Sequence, residues 1–480
     1  MIEGYIPKEQ RKKILLLCDD IRMTSGISTM AREIVIGTAH RYNWVNIGAA
    51  INHPDQGKRL DISADTNRHV GIDDASVFIH PSNGYGTPEY LRQMMEMENP
   101  DAIMFFTDPR YWVWLFQMEN EIRRKIPMIY LNIWDDLPAP LYNESYYESC
   151  DALMAISKQT LNINRLVLGE KAKDKVLRYV PHGINEKVFF PITEFMKDSN
   201  IALEKKKAEI FGGFNPEFVV FYNSRNIQRK CPSNLIAAYS VFCDMIGKDK
   251  AKKCALLMHT DVADPNGTDL RVVKDLLCDP EYQKVYFHEQ KVGPDTMNIL
   301  YNISDVTCLL SSNEGWGLSL TESMMAGKMI IANTTGGMQD QMRFEDENGN
   351  WIDFNEKFCS NHFGTYKKHG KWAEAVFPSN MSIVGSIPTP YIFDDRCDFR
   401  DAAKAIKKVY EMSPEERAER GLAARNWVTS EESMMSAKHM SQNVMECIDD
   451  TIASFKPKKS FELIKTKKLV RNKIVHPLMY

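Results

Sequence analysis

The chain has 480 residues, 60 of them basic and 64 acidic, a formal charge of −4, and 44% hydrophobic and 10% aromatic residues. That length predicts roughly three domains, or two large ones with additions, and the composition excludes intrinsic disorder. No apolar run approaches the ~18–20 residues that span a bilayer, and the run 14–18 is too short for a signal-peptide core.

In chain order, apolar runs alternate with helical patterns, as an α/β protein requires. Residues 13–18 read as a buried strand, and a helix opening near Ser25-Gly26 carries Ile27, Met30, Ala31, Ile34 and Thr38 at helical spacing. Strands are expected at 102–106, 128–133, 152–156 and 175–180, the last running into the turn Pro181-His182-Gly183. Residues 191–216 read as a linker followed by a charged helix. A second alternating set then begins: strands at 218–224, 255–259, 285–288, 305–311 and 329–332, with helices at 233–246 and 318–326. Residues 345–398, rich in aromatics, Gly and Pro, read as an elaborated loop or insertion. Helices are expected again at 401–412, 414–428 and 431–455. The ten cysteines include no C-x-x-C pair and no spacing for zinc, so free thiols in a reduced, cytoplasmic compartment are expected.

Two segments carry chemistry. In Ser311-Ser312-Asn313-Glu314-Gly315-Trp316-Gly317-Leu318, a strand ends in a glycine-containing loop that opens a helix. Gly315 and Gly317 permit close approach of the backbone to a ligand, and the helix beginning near Leu318 points its positive end into the same space. Glu314 lies at the strand end and Glu322 about one turn into the helix, so one carboxylate can face a sugar while the other accepts ribose hydroxyls. The second segment, Arg225-Asn226-Ile227-Gln228-Arg229-Lys230, follows another strand end. Arg forks onto phosphate oxygens and Lys supplies a point charge, which suits a diphosphate leaving group. Arg229 is an additional cation that receives no role from the sequence.

The glutamate segment resembles the family 4 retaining glycosyltransferases, which have the GT-B architecture of two Rossmann-like domains. That family has two glutamates with seven residues between them around a Gly-aromatic-Gly, and Glu314, Trp316 and Glu322 fall on this pattern, with Ile330-Ile331-Ala332-Asn333 and Gly336-Gly337 downstream. The resemblance implies α/β domains at 1–190 and 200–430 facing a central cleft, and a helix at 431–455 crossing back to the first. It implies a nucleotide diphosphate sugar as donor and no required cofactor or metal. Glu314 and the amides of Gly317 and Leu318 would contact the donor sugar or phosphates, Glu322 the ribose, and Arg225 and Lys230 the diphosphate. Gly26 stands where the family usually has two glycines. Trp134 stands where relatives carry a histidine, beside Asp135 and Asp136, and His182 borders the cleft; these four are the acceptor-side candidates.

The acceptor stays open: a glycan, a lipid-linked sugar or a small molecule, for a hexosyl- or pentosyltransferase. From Phe455 to Tyr480 there are eight Lys or Arg against Glu462 alone, a charge of +7 that leaves −11 for the rest. This tail is a candidate contact for anionic partners, membrane lipid or DNA, and admits a modified DNA base as an alternative acceptor. A non-catalytic nucleotide-sugar or nucleic-acid binding protein on the same scaffold is the third reading.

Overall fold

A computed structural model describes residues 4–193, 195–358 and 360–459. Two large sheets form the domains, their central strands apolar and buried. In the first domain the strands are β1 (Lys12–Asp19), β2 (Tyr42–Ala50), β3 (Leu60–Asp61), β4 (Val77–Asn83), β5 (Ala102–Phe106), β6 (Met128–Asn132), β7 (Ala152–Ala155) and β8 (Val176–Tyr179). They lie in the order β3-β4-β2-β1-β5-β6-β7-β8, parallel except for β3 against β4. Leu15 pairs with Val45 on one side and Ile103 on the other, which fixes the register of the central strands. All five residues of β5 and of β6 are buried, as expected where helices cover both faces of a parallel sheet.

The second domain contains β9 (Phe218–Asn223), β10 (Cys254–His259), β11 (Val285–His288), β12 (Val306–Leu309), β13 (Met329–Asn333) and β14 (Ala373–Val376), in the order β11-β10-β9-β12-β13-β14. Here too every pair is parallel. The chain thus doubles a Rossmann-like arrangement and turns the carboxyl ends of the two sets of strands toward one cleft.

The sequence reading misses β2 and β4, whose apolar patterns are broken by Asn43 and Asn46 and by His80 and Pro81. Of the elaborated loop or insertion expected at 345–398, part is regular structure. That stretch supplies the edge strand β14 and an antiparallel hairpin, β15 (Asn380–Ser386) and β16 (Thr389–Arg396). Gly385 and Pro390 inside short strands hid the alternation, since both residues argue against a regular strand.

The crossing helix is Ala437–Ser454, capped by the Ser436 hydroxyl, which accepts from the His439 N–H at 3.3 Å. It lies against the helix Gly26–Thr38 so closely that a Cβ on Gly37 would stand 2.0 Å from Ser441 Oγ. Asp449 accepts from the Tyr42 hydroxyl at 2.6 Å and pairs with Arg41, while Arg178 reaches Asp450 at 2.6 Å. Beyond it, Lys458 binds Glu119 of the first domain at 2.6 Å; the basic tail from residue 460 onward lies outside the described residues. Among the described residues the nine cysteines are free and buried, and no helix is long and apolar enough to cross a membrane.

Candidate active site

Short loops at the strand ends assemble the site. After β12 the chain bends through Ser311–Gly317 into the helix Leu318–Met325, and after β6 it bends through Ile133–Asp136. These loops nearly touch: a Cβ on Gly315 would lie 2.8 Å from the Ile133 carbonyl, and one on Gly26 would lie 3.1 Å from Leu318 Cδ1. Between them is a cavity of about 630 Å³. It is lined by Gly26, Trp134, Asp135, Asp136, His182, Arg229 and Glu314 to Trp316, together with Leu318 and the hairpin.

Glu314 is the electrostatic centre. It is 6% exposed and accepts from Ser311 Oγ at 3.1 Å and from Lys230 Nζ in a close ion pair. Arg229 stands 3.5 Å from the same carboxylate and donates to the Asn313 carbonyl at 2.8 Å. Burial pushes the Glu314 carboxyl up, but the charges of Lys230 and Arg229 outweigh it and hold it below the usual range. Burial pulls Lys230 below its ordinary value, against the pull of Glu314.

The Gly336-Gly337 turn holds this loop from behind. Gly337 N–H donates to the Glu314 carbonyl at 2.9 Å, and a Cβ on Gly336, at φ +52°, would sit 2.1 Å from that oxygen. Only a glycine fits such a left-handed, backbone-to-backbone contact. Trp316 is 4% exposed; its indole N–H donates to Thr321 Oγ1 at 3.1 Å, so most of the ring serves the core. Leu318 N–H is bonded to the Trp316 carbonyl at 3.0 Å, and the Gly317 carbonyl accepts from Gln341 at 2.7 Å.

Not every candidate joins this cluster. Arg225 is exposed and forks onto Asp264, with Nε at 2.8 Å, because buried Asn226 pins the chain to the Val262 and Thr268 carbonyls directly after it. The cation beside Lys230 is therefore Arg229. Glu322 does not line the cavity; it accepts from the Tyr301 hydroxyl at 2.5 Å, and Asn223 at the end of β9 donates to that hydroxyl at 2.8 Å. Burial raises the Glu322 carboxyl to about 7.

The acceptor-side candidates do come together. Trp134 is buried, with its indole N–H on the Asp136 carbonyl at 3.0 Å. Burial raises Asp135 to about 6 and pushes Asp136 well above the carboxylate range, helped there by Asp135 next to it. His182 packs edge-on against Phe106, its Nδ1 has no partner, and burial lowers it to about 3, so the ring is neutral at neutral pH.

Asn313 ties the halves: its amide donates to Asp136 Oδ1 at 2.7 Å and to the Phe393 carbonyl on the hairpin. Asn313, Asp108, Arg110 and Thr389 are site residues the sequence reading did not single out. Asp108 and Arg110 follow the fully buried strand β5, and the loop after such a strand is where ligand groups gather in these sheets. Among the described residues, no group of three or more His, Cys, Asp or Glu side chains is placed to hold a metal ion.

Comparison with known proteins places this geometry. Residues 204–358 match the family described as glycosyl transferases group 1. Curated protein sequences give no match. Sucrose-phosphate synthase from Thermosynechococcus elongatus aligns at a TM-score of 0.64 and 16% identity, over 92% of this chain and 100% of that one. Anabaena HepE in complex with UDP-glucose aligns at 0.61 and 14%, over 91% and 99%. The E. coli trehalose-6-phosphate structure bound with UDP-2-fluoro glucose aligns at 0.59 and 12%, over 91% and 99%. Two parallel-sheet domains, a shared cleft and a returning helix make this a chain of the GT-B architecture, and its residues 204–358 match the model of the group 1 glycosyl transferases.

Proposed function

We propose that the chain is a retaining glycosyltransferase that moves a sugar from a nucleotide diphosphate sugar to an acceptor hydroxyl. The observation that carries this reading is the ion pair of Lys230 with buried Glu314, with Arg229 beside it, near the start of the helix Leu318–Met325, where Glu314 and Arg229 line the interdomain cleft. A departing diphosphate develops negative charge, and two cations with a helix N-terminus are the groups that stabilise it. Structures of the same fold carry UDP-glucose and UDP-2-fluoro glucose, which supports a donor of that class here.

In the reaction, the bond from the anomeric carbon to the diphosphate oxygen breaks and the acceptor oxygen bonds to that carbon. The acceptor proton passes to the leaving phosphate oxygen. Retention of configuration is carried by the family resemblance. Holding both reactants in one cleft supplies orientation, and Asp135 and Asp136 orient the acceptor hydroxyl. Glu322 lies outside this cavity, so for it to take the ribose hydroxyls it must exchange the Tyr301 hydroxyl for them.

The test is release of nucleotide from a panel of nucleotide sugars, UDP-glucose first, without added acceptor. Lys230→Ala is expected to lower turnover by about 100-fold or more, the scale of a lost charge-stabilising donor. Because that change also leaves Glu314 buried beside fewer cations, it is expected to cost stability. The double variant Lys230→Ala/Glu314→Gln regains stability but not turnover. Full turnover in Lys230→Ala refutes the assignment; nucleotide binding without any turnover by the unaltered chain favours a binding protein. Mass spectrometry of products from glycan, small-molecule and modified-DNA acceptors separates the remaining readings.

A further inference from the structure

The hairpin β15–β16 grows from the donor domain yet is fastened to the other one. Phe393 N–H donates to the Leu137 carbonyl at 2.7 Å, the Tyr142 hydroxyl to the Tyr391 carbonyl at 2.9 Å, and the Tyr391 hydroxyl to the Ala139 carbonyl at 3.1 Å. Arg110 Nη1 donates to Thr389 Oγ1 at 3.1 Å. The hairpin also brings Val384 and Ile392 to the cavity. Beside the loop of Glu314, the cavity therefore has three further walls: the loop 108–110, the loop 134–136 and the hairpin.

The charges on these walls are unequal. They present the carboxyl groups of Asp108, Asp135 and Asp136 and one cation, Arg110. Arg110 is already forked onto Asp108, at 2.9 Å from Nε and 2.5 Å from Nη2. Arg229 lines the same cavity but stands 3.5 Å from the Glu314 carboxylate, which also holds Lys230 in a close ion pair. A phosphate or carboxylate on the acceptor would meet three carboxyl groups and, among the described lining residues, no cation without a carboxylate partner. Desolvating such a charge without a partner is costly. Hydroxyl groups find acceptors on the same walls, and Val384 and Ile392 offer apolar surface.

We infer that these three walls of the cleft select an uncharged polyhydroxyl acceptor, a neutral glycoside without phosphate or carboxylate, with Val384 and Ile392 of the hairpin against its apolar face and the Asp136 side accepting its hydroxyls. This rests on the transferase reading above.

The experiment uses the full chain and the nucleotide sugar it hydrolyses. Nucleotide release is measured with p-nitrophenyl glucoside or with glucose 6-phosphate at equal millimolar concentration. The neutral glycoside is expected to change release by about fivefold or more, upward by transfer or downward by excluding water, and glucose 6-phosphate by less than about twofold; a fivefold ratio corresponds to about 1 kcal/mol of discrimination. Val384→Lys, which places a cation on the hairpin, is expected to raise the effect of glucose 6-phosphate relative to the glycoside by about fivefold or more. An equal or larger effect of glucose 6-phosphate on the unaltered chain overturns the inference. So does no effect of either probe on a chain that hydrolyses its donor, or no change of preference in Val384→Lys. A chain that neither binds nor hydrolyses any nucleotide sugar overturns the transferase reading itself, a result distinct from these.

Discussion

Glu314 and Glu322 are the two carboxylates of one sequence pattern, yet burial treats them oppositely. Glu314 is surrounded by Lys230 and Arg229 and stays ionised below its ordinary range, whereas Glu322 has only the Tyr301 hydroxyl and rises to about 7. A group raised in this way is protonated below its folded value, and only the ionised form accepts two hydroxyl hydrogens. If Glu322 binds the donor ribose, the affinity for UDP-glucose should increase as pH rises through 7, by up to about tenfold between pH 6 and pH 8. Calorimetric titration of UDP-glucose checks this, and Glu322→Gln should be flat over the same range. A flat profile for the unaltered chain would remove Glu322 from the donor site. The pairing of Arg229 rather than Arg225 with Lys230 belongs to this scale too. Both cations were visible in the sequence, but the choice depends on buried Asn226, which no spacing rule describes.

At the scale of elements, the loop that carries Glu314 is positioned by the later Gly336-Gly337 turn. Gly336 and Gly337 close on the carbonyls of Glu314 and Gly315, so a side chain on either would meet a backbone oxygen at 2.1 Å. Gly336→Ala combines that clash with a left-handed φ and is expected to lower stability by about 2 kcal/mol or more. Thermal unfolding of the variant checks it, and a loss below about 0.5 kcal/mol would mean the turn does not brace the loop. The buried strands β1, β5, β6, β9 and β12 were legible because parallel strands covered on both faces read as continuous apolar runs. The hairpin was not, because its contacts run to Leu137, Ala139 and Tyr142, about 250 residues earlier, and its own strands carry Gly and Pro. An element stabilised by distant partners leaves a weak local pattern.

At the scale of the molecule, the two domains are held by the crossing helix as well as by the cleft contacts. Ile184 N–H donates to the Met435 carbonyl at 3.1 Å and Ala437 N–H to the Ile184 carbonyl at 3.0 Å, so the end of the first domain and the start of the helix are stitched by backbone. A Cβ on Gly183 would be 2.3 Å from the Ser436 carbonyl. Gly183→Ala should therefore loosen this joint, seen as faster hydrogen exchange across 437–454 while the central strand β5 keeps its protection. Unchanged exchange in that helix would show that the joint tolerates the extra carbon. Asp340 belongs to the same scale: it reaches from the second domain to Lys158 N–H at 2.8 Å and the Tyr179 hydroxyl at 3.0 Å in the first.

The sequence by itself determined the class of fold, the glycine-containing loop that opens the helix at Leu318 and the presence of cations near it. Those features are local: apolar runs, glycines beside a helix start, and charges a few residues apart. Tertiary structure alone decided which cation faces Glu314, that Glu322 sits apart from the main cavity, and that a hairpin from one domain is fastened to the other and walls the cavity between them. Each of these depends on groups distant in sequence being buried together, where desolvation and pairing set both the charge and the position of a side chain. The composition that looked nearly neutral over 480 residues resolves into a cleft in which Arg229 faces Glu314 and Arg110 is forked onto Asp108, beside Asp135 and Asp136.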